Sequence, residues 1–253
     1  MKFKKPMKII PIKTHIIQPN EPIIRAIGPY LDNLEERDVV LITSKIVSIS
    51  EGRLIKKKSV GSKELLIKKE ADAYIEDCGN YDICLTLKNN ILIPSAGIDE
   101  SNSQGHYVLY PQDVQRSAER IWKELRQLNK IESLGIIITD SHTTPLRRGV
   151  TGIGLGWCGF KALKNYIGST DLDGKKLCFT QSNLMDGLSA AAVLVMGEGD
   201  EQTPIVIIRD FKKLEFQNHP PTPEEKNNLS IEPEKDLYAP LLRGVSWKRS
   251  NQS

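Results

Sequence analysis

The stretch Ile136 to Gly149, IIITDSHTTPLRRG, brings the acid Asp140, the hydroxyl of Ser141 and two guanidiniums, Arg147 and Arg148, within ten residues. Ions such as Mg²⁺ take carboxylate and hydroxyl oxygens, which Asp140 and Ser141 offer. Arginine forks bind phosphate oxygens in pairs, which suits Arg147 and Arg148. The apolar run before Thr139 reads as a buried strand that stops at Asp140, so the carboxylate is held rigidly at a strand end. The plainer alternative is a capped strand end followed by a solvated arginine pair.

Three further stretches can carry chemistry. In Ser95–Asn102, SAGIDESN, Gly97 lets the chain turn, and Asp99, Ser101 and Asn102 supply oxygens. This loop also follows a strand, so Asp99 could converge on Asp140; alone, it reads as a turn closed by an Asx bond. Gly197-Glu198-Gly199-Asp200-Glu201 places three acids at the end of an Ala-rich helix, where the helix dipole opposes them. Such acids indicate either a nearby cation or an exposed acidic loop. Gly154 to Gly159, GLGWCG, is formally GxGxxG, the fingerprint of a nicotinamide-dependent oxidoreductase. A dinucleotide site must follow a strand and open a helix, and TTPLRRGVTGI is a poor strand. A glycine-rich strand packed close to another backbone is the better reading. No GxxxxGK[ST] occurs, and no nucleophile elbow surrounds Ser141-His142.

The elements that must position these residues are those of a mixed α/β chain. Its 253 residues, 39% hydrophobic and 26% charged, suit a soluble globular protein. A net charge of +3 with no basic stripe gives no case for nucleic acid. No apolar run nears the roughly 20 residues that span a bilayer. Cys78, Cys84, Cys158 and Cys178 have no CxxC spacing and read as reduced core or near-core thiols of a cytoplasmic protein, with no structural zinc. In chain order, Ile9–Ile17 is expected as a strand and loop. Asn20-Glu21-Pro22 starts a helix with Ile23, Ile24, Ile27 and Leu31 on one face. Asp38–Ser48 reads as one long buried strand, or a strand and turn, and Ser62–Asp77 as a charged helix. Asn89-Asn90 turns a hairpin between Ile83–Leu87 and Ile91–Pro94. Gln112–Lys130 is an amphipathic helix with Val114, Ala118, Ile121, Trp122, Leu125 and Leu128 inward. Asn183–Met196 buries Leu184, Leu188, Ala191 and Val195, and Pro204–Arg209 is the last strand. Residues 1–210 are expected as one domain. Residues 211–253, Pro-rich and charged, are expected to run as an extended arm docked on it.

Five blocks in this order resemble the CofE-like family, the GTP-dependent ligases that add L-glutamate to a deazaflavin coenzyme F-420 precursor. They are Ser44–Arg53, Ala96–Asn102, the ITDSHTTPLRRG stretch, Gly168–Leu177 and Met196–Gly199. The resemblance implies an α/β fold in an intertwined homodimer acting on GTP with two divalent cations, Mg²⁺ or Mn²⁺, and room for a monovalent ion such as K⁺. It assigns Asp99 and Asp140 to one cation, and Ser141 and Glu198 to the other. Thr14, His15, Ile16, Ile17, Ser44, Lys45, Asn102, Met196, Gly197, Gly199, Asp200, Glu201, Gln202 and Thr203 match nucleotide contacts. Arg147 and Arg148 are left to hold the transferring phosphoryl group or a phosphate of the acceptor. The implied reaction phosphorylates an acceptor carboxylate and lets the amine of glutamate displace the phosphate. Three departures stand out: Ile49 replaces a lysine, Thr143-Thr144 replace Gly-Arg, and Ser95 replaces a common asparagine. Cations near the substrate change while the metal positions match. The acceptor therefore stays open between a deazaflavin and a folate-like pterin. A non-catalytic nucleotide-binding role is the other alternative.

Overall fold

The computed structural model describes residues 5–76 and 83–250. The strands are β1 (Lys8–Ile12), β2 (Asp38–Thr43), β3 (Leu54–Lys56), β4 (Ala73–Tyr74), β5 (Leu85–Lys88), β6 (Ile91–Pro94), β7 (His106–Val108), β8 (Leu134–Thr143), β9 (Val150–Cys158), β10 (Leu163–Asn165), β11 (Gln181–Asn183), β12 (Ile205–Arg209) and β13 (Lys248–Arg249). The helices are α1 (Ile23–Ile27), α2 (Ser44–Ser50), α3 (Lys63–Glu70), α4 (Val114–Asn129), α5 (Leu184–Met196), α6 (Pro223–Leu229) and α7 (Ala239–Leu242).

The body is a mixed sheet in the order β1-β12-β2-β8-β9, in which only β2 and β8 run parallel. Side chains alternate across it because successive Cβ atoms point to opposite faces. Val40, Ile42, Ile136 and Ile138 join α1 and α4 in one core layer. Val39, Leu41, Ile137, Val206 and Ile208 join α5 in the other. The strands are apolar on both faces because both faces are covered. A smaller lobe holds α3, the β13-β4-β5-β6 sheet and the β3-β7 ribbon around Leu66, Ile67, Cys84, Ile98 and Tyr107.

Several elements depart from the sequence reading. Asp38–Ser48 is a strand only to Thr43; Ser44 opens α2, with Ile46, Val47 and Ile49 at helical spacing. Strand β8 does not stop at Asp140 but continues to Thr143, because β9 pairs with it that far. Helix α3 is capped by the Ser62 side chain and ends at Glu70; Asp72 then leads into β4, and Asp77 lies outside the described residues. Inward residues of α5 are Leu184, Met185, Leu188, Ser189, Ala192, Val193 and Met196, whereas Ala191 and Val195 are only half-buried. Leu128, at the last turn of α4, is exposed. Cys84 and Cys158 are buried, Cys178 is exposed, and Cys78 lies outside the described residues. The C-terminal arm is not simply extended, since Thr222 and Glu225 form a capping box with Pro223 at the helix start and give α6.

The glycine-rich stretch is β9 itself, and its glycines serve packing. A Cβ at Gly152 would lie 2.2 Å from the Ser189 carbonyl oxygen of α5, and one at Gly154 would lie 2.6 Å from Met185. A bulge opposite Ile138/Thr139 shifts the register, and Gly156 then faces α4, with Val114 O 3.1 Å from its notional Cβ. Gly152→Ala is expected to cost about 2 kcal/mol or more, because a backbone oxygen cannot rotate away. A urea melt with an unchanged midpoint would refute this packing.

Candidate active site

The parallel pairing of β2 and β8 ends at Thr43 and Thr139, and beyond it, beside the continuing end of β8, lies a cleft of about 700 Å³. Clefts beyond the carboxyl ends of strands are the usual ligand sites of α/β sheets. Four loops close it: residues 14–17 after β1, the start of α2, residues 94–104 after β6, and residues 196–204 after α5.

The 94–104 loop is bent by three consecutive left-handed residues, Ser95, Ala96 and Gly97. At Gly97 a Cβ would sit 2.1 Å from the Tyr110 ring, so only glycine permits the contact. Tyr110 then donates its hydroxyl to Asp140 Oδ2 at 2.6 Å. Asp99 Oδ1 accepts the Ser101 N–H at 2.7 Å, forming the expected Asx bond, while the side chain also lines the cleft. Asn102 donates from Nδ2 to Gly199 O at 3.3 Å and ties this loop to the acidic one. The Thr14 N–H donates to Gln202 O at 3.1 Å, and the Thr203 hydroxyl to Met196 O at 2.6 Å.

Electrostatically the cleft is an acid cluster with one cation in it. Burial pushes the Asp140 carboxyl up to about 6, against the Tyr110 hydroxyl and a backbone hydrogen bond at Ser141, and the charge of Asp99 raises it further. Burial also raises Glu198, against hydrogen bonding with Ser141 and the charge of Lys45. For Asp99 burial opposes ionisation, but the Lys45 ammonium and the Ser101 bonds prevail and hold it below the usual carboxylate range. Lys45 is the only lysine or arginine lining the cleft among the described residues.

Of the residues singled out in sequence, Asp99, Asp140, Ser141, Glu198, Lys45, Asn102, Thr14–Ile17 and Met196–Thr203 all line this cleft. Ser44 is buried beside it at the start of α2. Arg147 and Arg148 do not line it; they stand exposed on the turn between β8 and β9. Sequence reasoning missed Tyr110, thirty residues from its partner with no local signal, and His142, which lines the cleft with its pKa lowered by burial. It also missed an apolar wall of Ile46, Ile83, Ile93 and Ile98; Ile49, flagged only as a departure from the family, belongs to the same wall.

Among the described residues, no three His, Cys, Asp or Glu side chains approach closely enough to hold a metal ion unaided. The donor set still fits Mg²⁺ or Mn²⁺ in the manner of nucleotide sites, where one or two carboxylates share the ion with phosphates and water. The cleft is lined by the carboxylates of Asp99, Asp140, Glu198, Asp200 and Glu201 against the one ammonium of Lys45, an excess of acid that a cation would offset.

Fold and cleft together define an α/β enzyme with an acid-rich site at the carboxyl ends of parallel strands. A sequence model of the F420-0:gamma-glutamyl ligase family matches residues 11–210. The coenzyme F420:L-glutamate ligase of Methanopyrus kandleri is 33% identical over 241 residues, 88% of this chain and 93% of that protein. The ligase of the same name from Haloarcula marismortui is 31% identical over 255 residues, covering 92% and 95%. That of Methanocaldococcus jannaschii is 32% identical over 227 residues, covering 83% and 90%. The chain belongs to the F420-0:gamma-glutamyl ligase family and is a ligase.

Proposed function

We propose that the protein is a GTP-dependent γ-glutamyl ligase that joins L-glutamate to a carboxylate of a deazaflavin coenzyme F-420 precursor through an acyl phosphate. The observation that carries this reading is the convergence of Asp99, Asp140, Ser141 and Glu198 on one cleft with the loops matched to nucleotide contacts. Two divalent cations held there would neutralise the triphosphate and the acceptor carboxylate, which otherwise repel. Asp99 and Asp140 would hold one ion, Ser141 and Glu198 the other. Asn102 fixes the 94–104 loop against Gly199, and Thr14 fixes the first loop against Gln202. These bonds set the loops before substrate arrives, so less ordering opposes binding. The isoleucine wall gives a planar ring an apolar surface.

The test is mass spectrometry of reactions containing GTP, Mn²⁺, L-glutamate and either a deazaflavin precursor or a folate. A glutamate mass increment on the deazaflavin alone supports the proposal. An increment on the folate alone moves the acceptor assignment, and none on either sinks the ligase assignment in favour of nucleotide binding without catalysis.

We also propose that the working form is a homodimer. Leu146 on the β8–β9 turn, Leu172 and Phe179 between β10 and β11, and Leu194 on α5 are 103%, 106%, 92% and 83% exposed, apolar side chains that a second copy could cover. Arg147 and Arg148 stand on the same β8–β9 turn as Leu146. Sedimentation is expected to give a dimer at micromolar concentration; a stable, active monomer would count against it. The buried thiol of Cys158 suits the reducing, cytoplasmic setting proposed here, and no helix of the described residues is long and apolar enough to cross a membrane.

A further inference from the structure

The Lys45 ammonium occupies the acid cluster. Its Nζ lies 2.5 Å from Asp99 Oδ2 and donates to Ser101 Oγ at 2.9 Å. Its charge also reaches Asp140 and Glu198. Lys45 is the second residue of α2, so its backbone is fixed by the strand-to-helix junction while its four-carbon stem can swing.

We infer that Lys45 is a placeholder cation, neutralising Asp99 until a divalent ion takes that oxygen and turns the ammonium toward the incoming phosphates. This rests on the proposed cation role of the cluster. A divalent ion binds a carboxylate oxygen at about 2.0–2.6 Å, so an ion on Oδ2 would stand close beside the ammonium and repel it. Displaced alone, the ammonium would lose its partner and the ion would gain little. Displaced in the presence of phosphate, it finds new oxygens within the same cleft. Cation and nucleotide therefore help each other to bind, and the lysine that resists the first rewards the second. A residue that served only as a phosphate contact would have no effect on cation binding without nucleotide.

The experiment titrates Mn²⁺ into the full-length, metal-free protein without nucleotide, following free Mn²⁺ by electron paramagnetic resonance. Lys45→Met removes the competing charge and keeps the stem. It is expected to bind Mn²⁺ about tenfold or more tightly than the wild type, because the cation-competent state no longer has to be released. Lys63→Met is the control for the general field, since Lys63 pairs with Glu100, next in sequence to Asp99. It should leave Mn²⁺ affinity within about twofold. With GTP present, Lys45→Met should instead weaken nucleotide binding. A second measurement needs no variant: on adding Mg²⁺ to wild type, the Lys45 ¹³Cε resonance should shift. Equal effects of Lys45→Met and Lys63→Met, no effect of either, or a silent Lys45 resonance while Mg²⁺ binds would each overturn the placeholder role and leave the cation sites standing. No Mn²⁺ binding by wild type or Lys45→Met, with or without nucleotide, would overturn the placeholder and the proposed cation sites together.

Discussion

Asp140→Asn is expected to abolish glutamate addition, with kcat reduced by about 10²–10³ or more, while the protein stays folded. Losses of that size follow removal of one group that stabilises transition-state charge, and here a proposed cation would lose half its protein ligands. Asparagine keeps the shape and can still accept from Tyr110, whose hydroxyl lies 2.6 Å from Asp140 Oδ2. The stability effect has the opposite sign. Burial raises Asp140 from 3.8 to about 6, so the folded chain holds this proton more tightly than the unfolded chain. Without cation, the contribution of this group to stability should therefore fall as pH rises between those values and stay flat above them. The Asn variant should lack that fall and be more stable at pH 8 by up to about 2–3 kcal/mol. Cation binding runs the other way, because it needs the carboxylate, and should weaken below pH 6. Thermal melts in chelator across pH, beside the mass-spectrometric assay, check both halves. Activity within tenfold of wild type would remove Asp140 from the reaction, and equal pH slopes would remove the buried charge.

Glu198→Gln is expected to weaken Mn²⁺-dependent nucleotide binding by about tenfold or more, as loss of one charged ligand or its support typically does. Binding without Mn²⁺ should change little. Glu198 lines the cleft, and burial raises its carboxyl while Ser141 bonds to it, so two features point it inward. Its two acidic neighbours are not equivalent controls. Glu201 accepts the Gly199 N–H at 2.9 Å and shapes the loop, whereas the Asp200 side chain forms no hydrogen bond or ion pair among the described residues. Asp200→Asn is therefore the clean comparison, and Glu201→Gln should disturb the loop itself. Nucleotide titrations by calorimetry with and without Mn²⁺ decide the matter: equal, small losses at positions 198 and 200 would mean that the loop is only acidic surface.

Much of the frame was legible because local chemistry sets it. The Asn89-Asn90 hairpin formed as expected, with both residues at positive φ. Helix α4 begins where the Asp113 side chain caps the Arg116 N–H, and its apolar stripe is buried apart from Leu128. VTGI, expected as a poor strand, is the start of β9; the GLGWCG stretch forms no dinucleotide loop because Gly154 to Cys158 continue that strand and open no helix. Less legible were the junctions. Thr43 to Lys45 carries no breaker, yet β2 ends at Thr43, its last residue paired with β8, and α2 begins at Ser44. The length of β8 was likewise set by β9, not by the polar residues that seemed to stop it.

The sequence by itself determined the inventory: which residues are acids, hydroxyls and guanidiniums, and, through capping, turn chemistry and periodicity, most of the elements that carry them. It also placed Asp99, Asp140, Ser141 and Glu198 as a group by family resemblance. Only the tertiary structure decided what each of them meets. Residues 99, 140 and 198 lie far apart along the chain, and their shared field arises from β8, the 94–104 turn and the end of α5 meeting at one cleft. The Tyr110 bond that steadies Asp140, the lysine among the acids and the exposed position of Arg147 and Arg148 have no local signature. Burial and through-space charge depend on which elements pack together, and a pattern within one element carries no record of its neighbours.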